Sequence, residues 1–279
     1  MKRNRLLFAG LFFLIFAFSS CEEMVTEIDA PSVDAKYVIE SFISPEDSTL
    51  IVRVGKTNPL FSVVDGDNTW INDVVVDVNG QQLTRESNSN VFYIDASAVN
   101  VQPGAEYTIT LTYQSVVVSG MCTVPLQRNT SLSFDGYDSI ASAWDEGYYD
   151  YYVKWSFQDF AGVENYYRVG LIKTWVDEWD FDTVRTEYYP EMTDYLSDIE
   201  HDGEEITGRM YLHYGSSLSE MTHLDLLLYT SDKAYYDYHR AVLNYSGENP
   251  FSEPVIIPTN VEGGLGCVAG VRRYEIQVF

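Results

Sequence analysis

The sequence has few cations for its length. Among 279 residues, 17 are Lys or Arg and 42 are Asp or Glu, which gives a formal net charge of -25. Proteins that bind nucleic acid need cationic patches for the phosphates, so this charge excludes that class. An acidic surface also resists lying flat on an anionic membrane, whereas it keeps a folded chain in solution.

Cysteine is scarce, with three residues in the chain. Cys21 follows an N-terminal apolar run, so Cys122 and Cys267 are left for the folded part. An oxidising compartment permits a disulfide between them, but a free buried cysteine behaves as a small hydrophobe. The sequence leaves both alternatives open.

Catalytic and metal-binding motifs are also missing. The four histidines have no zinc-ligand spacing and are expected on the surface or in packing roles. The glycine run at Gly263–Gly266 lacks the Lys-Ser/Thr pair of a phosphate loop, and no glycine follows Ser217 to form a nucleophile elbow. Among 42 acidic residues, adjacent pairs arise by chance. We therefore expect that the protein is not an enzyme and that it has no cofactor and no metal site.

The N-terminus has the order of a secretory signal peptide. Lys2, Arg3 and Arg5 precede the apolar run Leu6–Phe18, which is too short for a comfortable membrane span. Two serines and Cys21 follow, an arrangement that resembles the lipobox of bacterial lipoproteins, although Phe18 stands where leucine is usual. We expect residues 1–20 to be removed and Cys21 to be diacylated. The alternative is an ordinary signal peptide with a chance cysteine.

Residues 21–35 predict a tether behind the lipidated cysteine. Two acyl chains hold a protein stably on a membrane without crossing it. Glu22 and Glu23 follow Cys21 directly, with more acidic residues close behind. This cluster resembles the export signal that sends some Gram-negative lipoproteins to the outer face of the outer membrane. The alternative is a solvated linker without an export role.

Residues 36–126 predict a first β-sandwich. Several short strands have alternating apolar residues, most strictly at Glu106–Tyr113. Asn79-Gly80 between two apolar runs predicts a tight hairpin, since both residues accept positive φ. No helical period of apolar residues occurs in this region. We therefore expect an immunoglobulin-like sandwich.

A second β-rich domain is predicted over residues 127–279. One helix is expected at residues 232–245, where Ser231 or Asp232 can cap the first turn and apolar residues fall on one stripe. Val255–Ile257 and Tyr274–Val278 are predicted as closing strands. The fold class is therefore mainly β, with two β-sandwiches of immunoglobulin-like or carboxypeptidase-regulatory-like type and one short helix near the C-terminus.

An aromatic segment in the second domain follows neither a strand period nor a helix period. Buried aromatics normally lie in periodic elements, whereas interfaces are enriched in Trp and Tyr. We expect a contact surface for a partner or ligand, formed by Trp175, Trp179, Phe181, Tyr188 and Tyr189. The alternative is a hairpin whose aromatics fill the core.

The C-terminal part resembles a known family. Asn249–Pro254, then Pro258–Gly266, and in mid-chain Phe157–Asp159 with Asn165–Arg168, are similar to an uncharacterised family of outer-membrane surface lipoproteins. Cys267 departs from that pattern, since the family tends to have a larger apolar residue there. Genes of this family usually lie beside those for TonB-dependent receptors with carboxypeptidase-regulatory-like extensions.

This resemblance implies a surface lipoprotein connected with uptake across the outer membrane. It implies a TonB-dependent receptor as partner, but neither a ligand nor catalytic residues. A second hypothesis from another class is an adhesin or fimbrial subunit, which polymerises by donating a strand. The alternating stretch Tyr274–Phe279 could be donated in principle, although we expect it to complete its own sheet.

Overall fold

The structure, a computed structural model, describes residues 34–57, 71, 73–142, 147, 149–177, 182–212, 221–245 and 255–279. Strands account for most of the regular structure, which confirms the mainly β fold class. In chain order they are β1 (Tyr37–Ile43), β2 (Thr49–Lys56), β3 (Val75–Val78), β4 (Gln81–Gln82), β5 (Thr84–Arg85), β6 (Val91–Asp95), β7 (Glu106–Tyr113), β8 (Val116–Thr123), β9 (Ser133–Ala141), β10 (Tyr149–Gln158), β11 (Tyr166–Val176), β12 (Thr183–Glu187), β13 (Tyr195–Ser197), β14 (Glu205–Leu212), β15 (Met221–Ser231), β16 (Val261–Glu262) and β17 (Leu265–Gln277).

Helices are few in the described residues. They are the one-turn helix α1 (Ala96–Val99), a 3-10 helix at Met192–Asp194 and the longer helix α2 (Lys233–Leu243). None of them has the length and apolar character that a membrane crossing requires. The helix predicted at residues 232–245 is thus confirmed as α2, with slightly narrower bounds.

The described strands form three sheets. A nine-stranded sheet has the order β12-β11-β15-β17-β1-β2-β6-β5, with β13 also paired to β11. A five-stranded sheet has the order β16-β8-β7-β3-β4, and a three-stranded sheet the order β14-β10-β9. β1 and β17 pair in parallel, with Val38 opposite Leu265 and Ile43 opposite Gly270. The C-terminal strand therefore completes the chain's own sheet, as expected.

Two hydrophobic cores lie on one face of the nine-stranded sheet and a third lies on the opposite face. Side chains alternate between the faces of a strand. Along β17, Val268 belongs to the first core, shared with the five-stranded sheet, whereas Tyr274 and Ile276 pack on the second core, shared with the three-stranded sheet. Cys267 and Ala269 point the other way, into a third core together with residues of α2. The two sandwiches therefore share one sheet.

The hydrogen bonding of this sheet crosses the predicted boundary between residues 126 and 127. β1, β2, β5 and β6 come before the boundary, and β11, β12, β13, β15 and β17 come after it, yet all belong to the nine-stranded sheet. The parallel pairing of β1 with β17 makes the connection. No local pattern reports this pairing, because the two strands lie at opposite ends of the described chain.

Local turn and strand predictions agree with the structure in most places. The hairpin at Asn79-Gly80 is confirmed, with φ of 48° and 81°. The predicted strand Val255–Ile257 is wrong, because these residues lie outside any strand. β17 already occupies the place between β15 and β1, and Pro258 has no N–H to donate to a ladder.

The glycine run Gly263–Gly266 spans the start of β17 and has a structural role. Gly263 and Gly266 have φ of 73° and 112°. A Cβ on Gly264 would lie 2.7 Å from the carbonyl oxygen of Tyr37. The run therefore combines left-handed backbone with close approach between chain segments, which glycine alone allows.

Asp232 fixes the start of α2 and joins the helix to β17. Its Oδ1 accepts a hydrogen bond from the backbone N–H of Tyr235 at 3.0 Å, and its Oδ2 accepts one from the N–H of Gly270 at 2.8 Å. The helix cap predicted from the sequence is therefore present. The same carboxylate also binds a strand of the nine-stranded sheet.

Asp232→Ala is expected to lower the free energy of unfolding by about 2 kcal/mol or more, measured by urea denaturation. The substitution removes a helix cap and leaves the N–H of Gly270 without its acceptor. Asp237→Ala is the control, because its ion pair with Lys233 is exposed and should contribute less than about 0.5 kcal/mol. Equal losses in the two variants would contradict the role assigned to Asp232.

Candidate functional site

The β9–β10 hairpin carries three exposed tyrosines on one face. Tyr137, Tyr149 and Tyr151 expose 41, 56 and 51% of their surface. Tyr137 lies opposite Val153, and Tyr149 and Tyr151 precede Val153 at steps of two residues, so all four share one face. We call Tyr137, Tyr149 and Tyr151 the tyrosine surface.

The same face of β10 is buried further along the strand. Val153, Trp155 and Phe157 are members of the second core. Tyr149 and Tyr151 lie at the other end of β10, beyond the edge of that core, and their rings meet solvent. Exposed apolar rings that are grouped on one face of a sheet mark interaction sites more often than singly scattered ones do.

The reverse face of the hairpin is polar and partly paired. Asp138 forms an ion pair with Arg209 of β14 at 3.3 Å, and the guanidinium of Arg209 lies 4.5 Å from the ring centre of Tyr152. Asp150 accepts a hydrogen bond from the hydroxyl of Tyr211 at 3.3 Å. These contacts connect the three strands of the small sheet and hold the tyrosine surface in place.

The five aromatics predicted as a contact surface lie in different environments. Trp175 in β11 is half-buried, and Tyr189 exposes 74% of its surface. Tyr188 is buried and belongs to the second core, as the alternative of a core hairpin predicts. Trp179 and Phe181 lie outside the described residues. The segment therefore combines a core side chain with an exposed ring.

Lys173 joins two of these aromatics. Its Nζ lies 4.7 Å from the ring centre of Trp175 and 5.5 Å from that of Tyr188. The apolar stem of a lysine can cover core edges while its ammonium contacts aromatic faces. Sequence reasoning missed Lys173, although its position two residues before Trp175 in a strand places both on one face.

Sequence reasoning also missed a buried arginine in β11. Arg168 donates from Nη1 to the hydroxyl of Tyr235 at 3.0 Å and pairs through Nη2 with Glu187. Its guanidinium carbon lies 4.8 Å from the ring centre of Tyr229 and 5.7 Å from that of Tyr195. This group, the arginine cluster, connects β11, β12, β13, β15 and α2. It lies on the face of the sheet opposite the two sandwich cores.

Two titratable groups next to the arginine cluster have shifted pKa values. Burial raises the pKa of Asp194 to about 6, although its carboxylate accepts a hydrogen bond from the N–H of Glu191 at 2.6 Å. Burial lowers the pKa of His239 to about 4, and its ring stacks on Tyr195 at 5.5 Å. His239 is therefore neutral near pH 7 and has a packing role.

Asp194→Asn is expected to change the pH dependence of stability. The folded-state pKa of about 6 lies above the ordinary value of 3.8. Asp194 therefore contributes stability that is fully present below pH 3.8. This contribution is lost as the pH rises through the folded pKa. Asparagine stays neutral and can still accept from Glu191, so the variant should gain melting temperature relative to wild type as pH rises. Thermal melts of both proteins, from below pH 3.8 to above pH 6, test this prediction. A difference in melting temperature that stays constant with pH would count against it.

Three carboxylates form a second acidic group, between the loops after β10 and β13. Oxygens of Asp159, Asp198 and Asp202 lie within 4.8 Å of one another, and calcium prefers such ligands. However, Asp159 accepts from the hydroxyl of Tyr167 at 2.7 Å, and Asp198 accepts from the N–H of Asn165 at 2.9 Å. Burial also raises the pKa of Asp198. These bonds give the group a structural role in joining the two loops.

The two cysteines of the folded part are both free and buried. Cys122 belongs to the first core and Cys267 to the third, which lie on opposite faces of the nine-stranded sheet. Burial raises the pKa of Cys267 to about 12, so its thiol is protonated at neutral pH. Both cysteines therefore act as small hydrophobic residues.

Fold and site together define a mainly β protein of two sandwiches on a shared sheet, with an exposed tyrosine surface. The chain belongs to the family described as Domain of unknown function (DUF4249), whose model matches residues 22–277. Membership of an uncharacterised family, expected from the C-terminal and mid-chain motifs, is thus confirmed. No curated protein and no solved structure matches the chain.

Proposed function

We propose that this chain is a non-enzymatic binding subunit, lipid-anchored on the outer membrane and facing the cell exterior, that assists a TonB-dependent receptor. The observation that carries the proposal is the tyrosine surface, because tyrosines outside the core are typical of protein interfaces. The lipobox-like N-terminus supports the anchor, and the family resemblance supports the receptor as partner.

The decisive experiment is co-purification from detergent-solubilised outer membranes. We expect a TonB-dependent barrel in stoichiometric amount with the wild-type chain, and less of it with Tyr149→Ala combined with Tyr151→Ala. Trp175, Trp179, Phe181 and Tyr189 remain candidate members of the contact surface. Absence of a barrel from the wild-type preparation would refute the accessory role.

The anchor can be tested separately through Cys21. Cys21→Ala should abolish acylation and release the protein into the soluble fraction. The released protein should remain folded, because the first described strand begins at Tyr37. If the variant stays on the membrane after a carbonate wash, Cys21 is not the anchor.

The orientation can be tested by treating whole cells with protease. A protein on the cell exterior should be cut in intact cells. Protection in intact cells, followed by cleavage after lysis, would refute the surface location while leaving the lipid anchor intact.

The alternative function is a structural adhesin or fimbrial subunit. Strand donation would require β17 to leave its place between β15 and β1, where it is hydrogen-bonded on both sides. Removing a central strand would also expose Val268 and Val271, which are buried. This observation favours the binding subunit. Heat-stable ladders on a denaturing gel would favour the fimbrial alternative, and a single monomer band would count against it.

A further inference from the structure

We infer that the tyrosine surface binds an extended, positively charged segment of a protein partner, with arginine or lysine side chains lying over the tyrosine rings. This inference rests on the proposed function for the existence of a protein partner. It adds the surface of this chain that the partner contacts and the chemistry of the partner's segment.

The charge around the tyrosine surface supports a cationic partner. β9 and β10 contain Asp135, Asp138 and Asp150 against the single cation Lys154. Asp138 and Asp150 lie on the reverse face of the hairpin, so they attract a cationic segment through the field of the sheet and do not contact it. Asp138 is paired with Arg209, whereas neither Asp135 nor Asp150 has an ion pair with a described residue. With a net charge of -25, the whole chain also attracts cations and repels acidic segments.

Cation-aromatic contacts already occur elsewhere in the second sandwich. On the reverse face of the sheet that carries the tyrosine surface, Arg209 lies 4.5 Å from the ring centre of Tyr152. In the sandwich's other sheet, Lys173 lies 4.7 Å from the ring centre of Trp175. Guanidinium and ammonium groups are attracted to aromatic faces, and arginine also stacks on them. The rings of the tyrosine surface are exposed and can accept the same contact from outside.

The spacing of the tyrosines suits an extended segment. Tyr149 and Tyr151 lie two residues apart on β10, with their side chains on one face. Alternate residues of a strand are about 7 Å apart. Alternate side chains of an extended partner repeat at the same distance, so successive cations can each meet one ring.

The test uses the full-length protein in detergent and two short synthetic peptides. One peptide alternates arginine with serine, and the other alternates glutamate with serine. We expect the arginine peptide to bind, added salt to weaken the binding, and the glutamate peptide not to bind. Tyr149→Ala combined with Tyr151→Ala should weaken binding of the arginine peptide by about 30-fold without changing the melting temperature.

Two matched controls separate this surface from general charge and aromatic effects. Tyr93→Ala combined with Tyr245→Ala removes two tyrosines of similar exposure elsewhere. For charge, Asp135→Asn in the hairpin is compared with Glu106→Gln, which removes an exposed acidic charge from the first sandwich. The hairpin variants should lose affinity, and the matched controls should stay within about twofold of wild type.

Three results would overturn the inference. They are equal losses in hairpin and control variants, equal binding of the glutamate peptide, and no binding of the arginine peptide to wild type. The peptide-binding measurement needs neither the lipid anchor nor a receptor. It can therefore fail while a barrel still co-purifies, or succeed while no barrel is found, so the two proposals are tested independently.

Discussion

Arg168→Ala is expected to lower the free energy of unfolding by ~3–5 kcal/mol, measured by urea denaturation. The arginine is buried, and its removal leaves the carboxylate of Glu187 without its cationic partner. The hydroxyl of Tyr235 loses a donor at 3.0 Å, and the rings of Tyr195 and Tyr229 lose the guanidinium between them. The effect is large because one buried guanidinium serves all of these groups, while Glu187, with 30% of its side chain exposed, is only partly hydrated after the loss.

Arg53→Ala is the control for this prediction. Arg53 lies 3.9 Å from Glu40, and 60% of its side chain is exposed, so its removal should change stability by less than about 1 kcal/mol. Arg168→Met combined with Glu187→Met should recover part of the loss, since both charges are then absent. Similar losses for Arg168→Ala and Arg53→Ala would show that the arginine cluster does not stabilise the fold.

Gly266→Ala is expected to destabilise the protein by more than about 4 kcal/mol, enough to abolish folding in many domains. Gly266 has φ of 112°, and its added Cβ would lie 2.0 Å from the carbonyl oxygen of Ile39. Ile39 is its direct partner in the parallel pairing of β1 with β17. The clash involves backbone, so relief would require the two strands to separate where the two sandwiches are joined.

Gly80→Ala separates the clash from the unusual backbone conformation. Gly80 also has positive φ, at 81°, but its added Cβ would meet no atom within 4 Å. It should therefore lose only about 1–2 kcal/mol, the penalty of a left-handed conformation. Circular dichroism and urea unfolding of both variants measure the difference. Comparable losses would mean that positive φ alone, and not the contact with β1, makes Gly266 necessary.

Most of the strands could be predicted from residue patterns. The strict alternation of Glu106–Tyr113 reappears as β7, and Asn79-Gly80 forms the hairpin between β3 and β4. Asp232 caps α2 as its residue type suggests. These predictions succeed because strand faces, turns and caps depend on neighbouring residues.

The candidate site was harder to predict. Tyr151 and Val153 both follow the strand pattern of β10, yet one is exposed and the other is buried. Alternation assigns a face to each residue, but it does not show where the opposing sheet ends. The segment that was predicted to form a contact surface contains the core residue Tyr188 as well as the exposed Tyr189. Its residue pattern does not show which of these neighbouring rings meets the core.

By itself, the sequence determined the acidic character of this protein, its strand content, the capped helix and the glycine run at the start of β17. Each depends on composition or on residues close together in the chain. Only the tertiary structure decided that β1 pairs with β17, that two sandwiches share one sheet, and that Arg168 is buried under α2. These features depend on contacts between residues far apart in sequence, which no local pattern records.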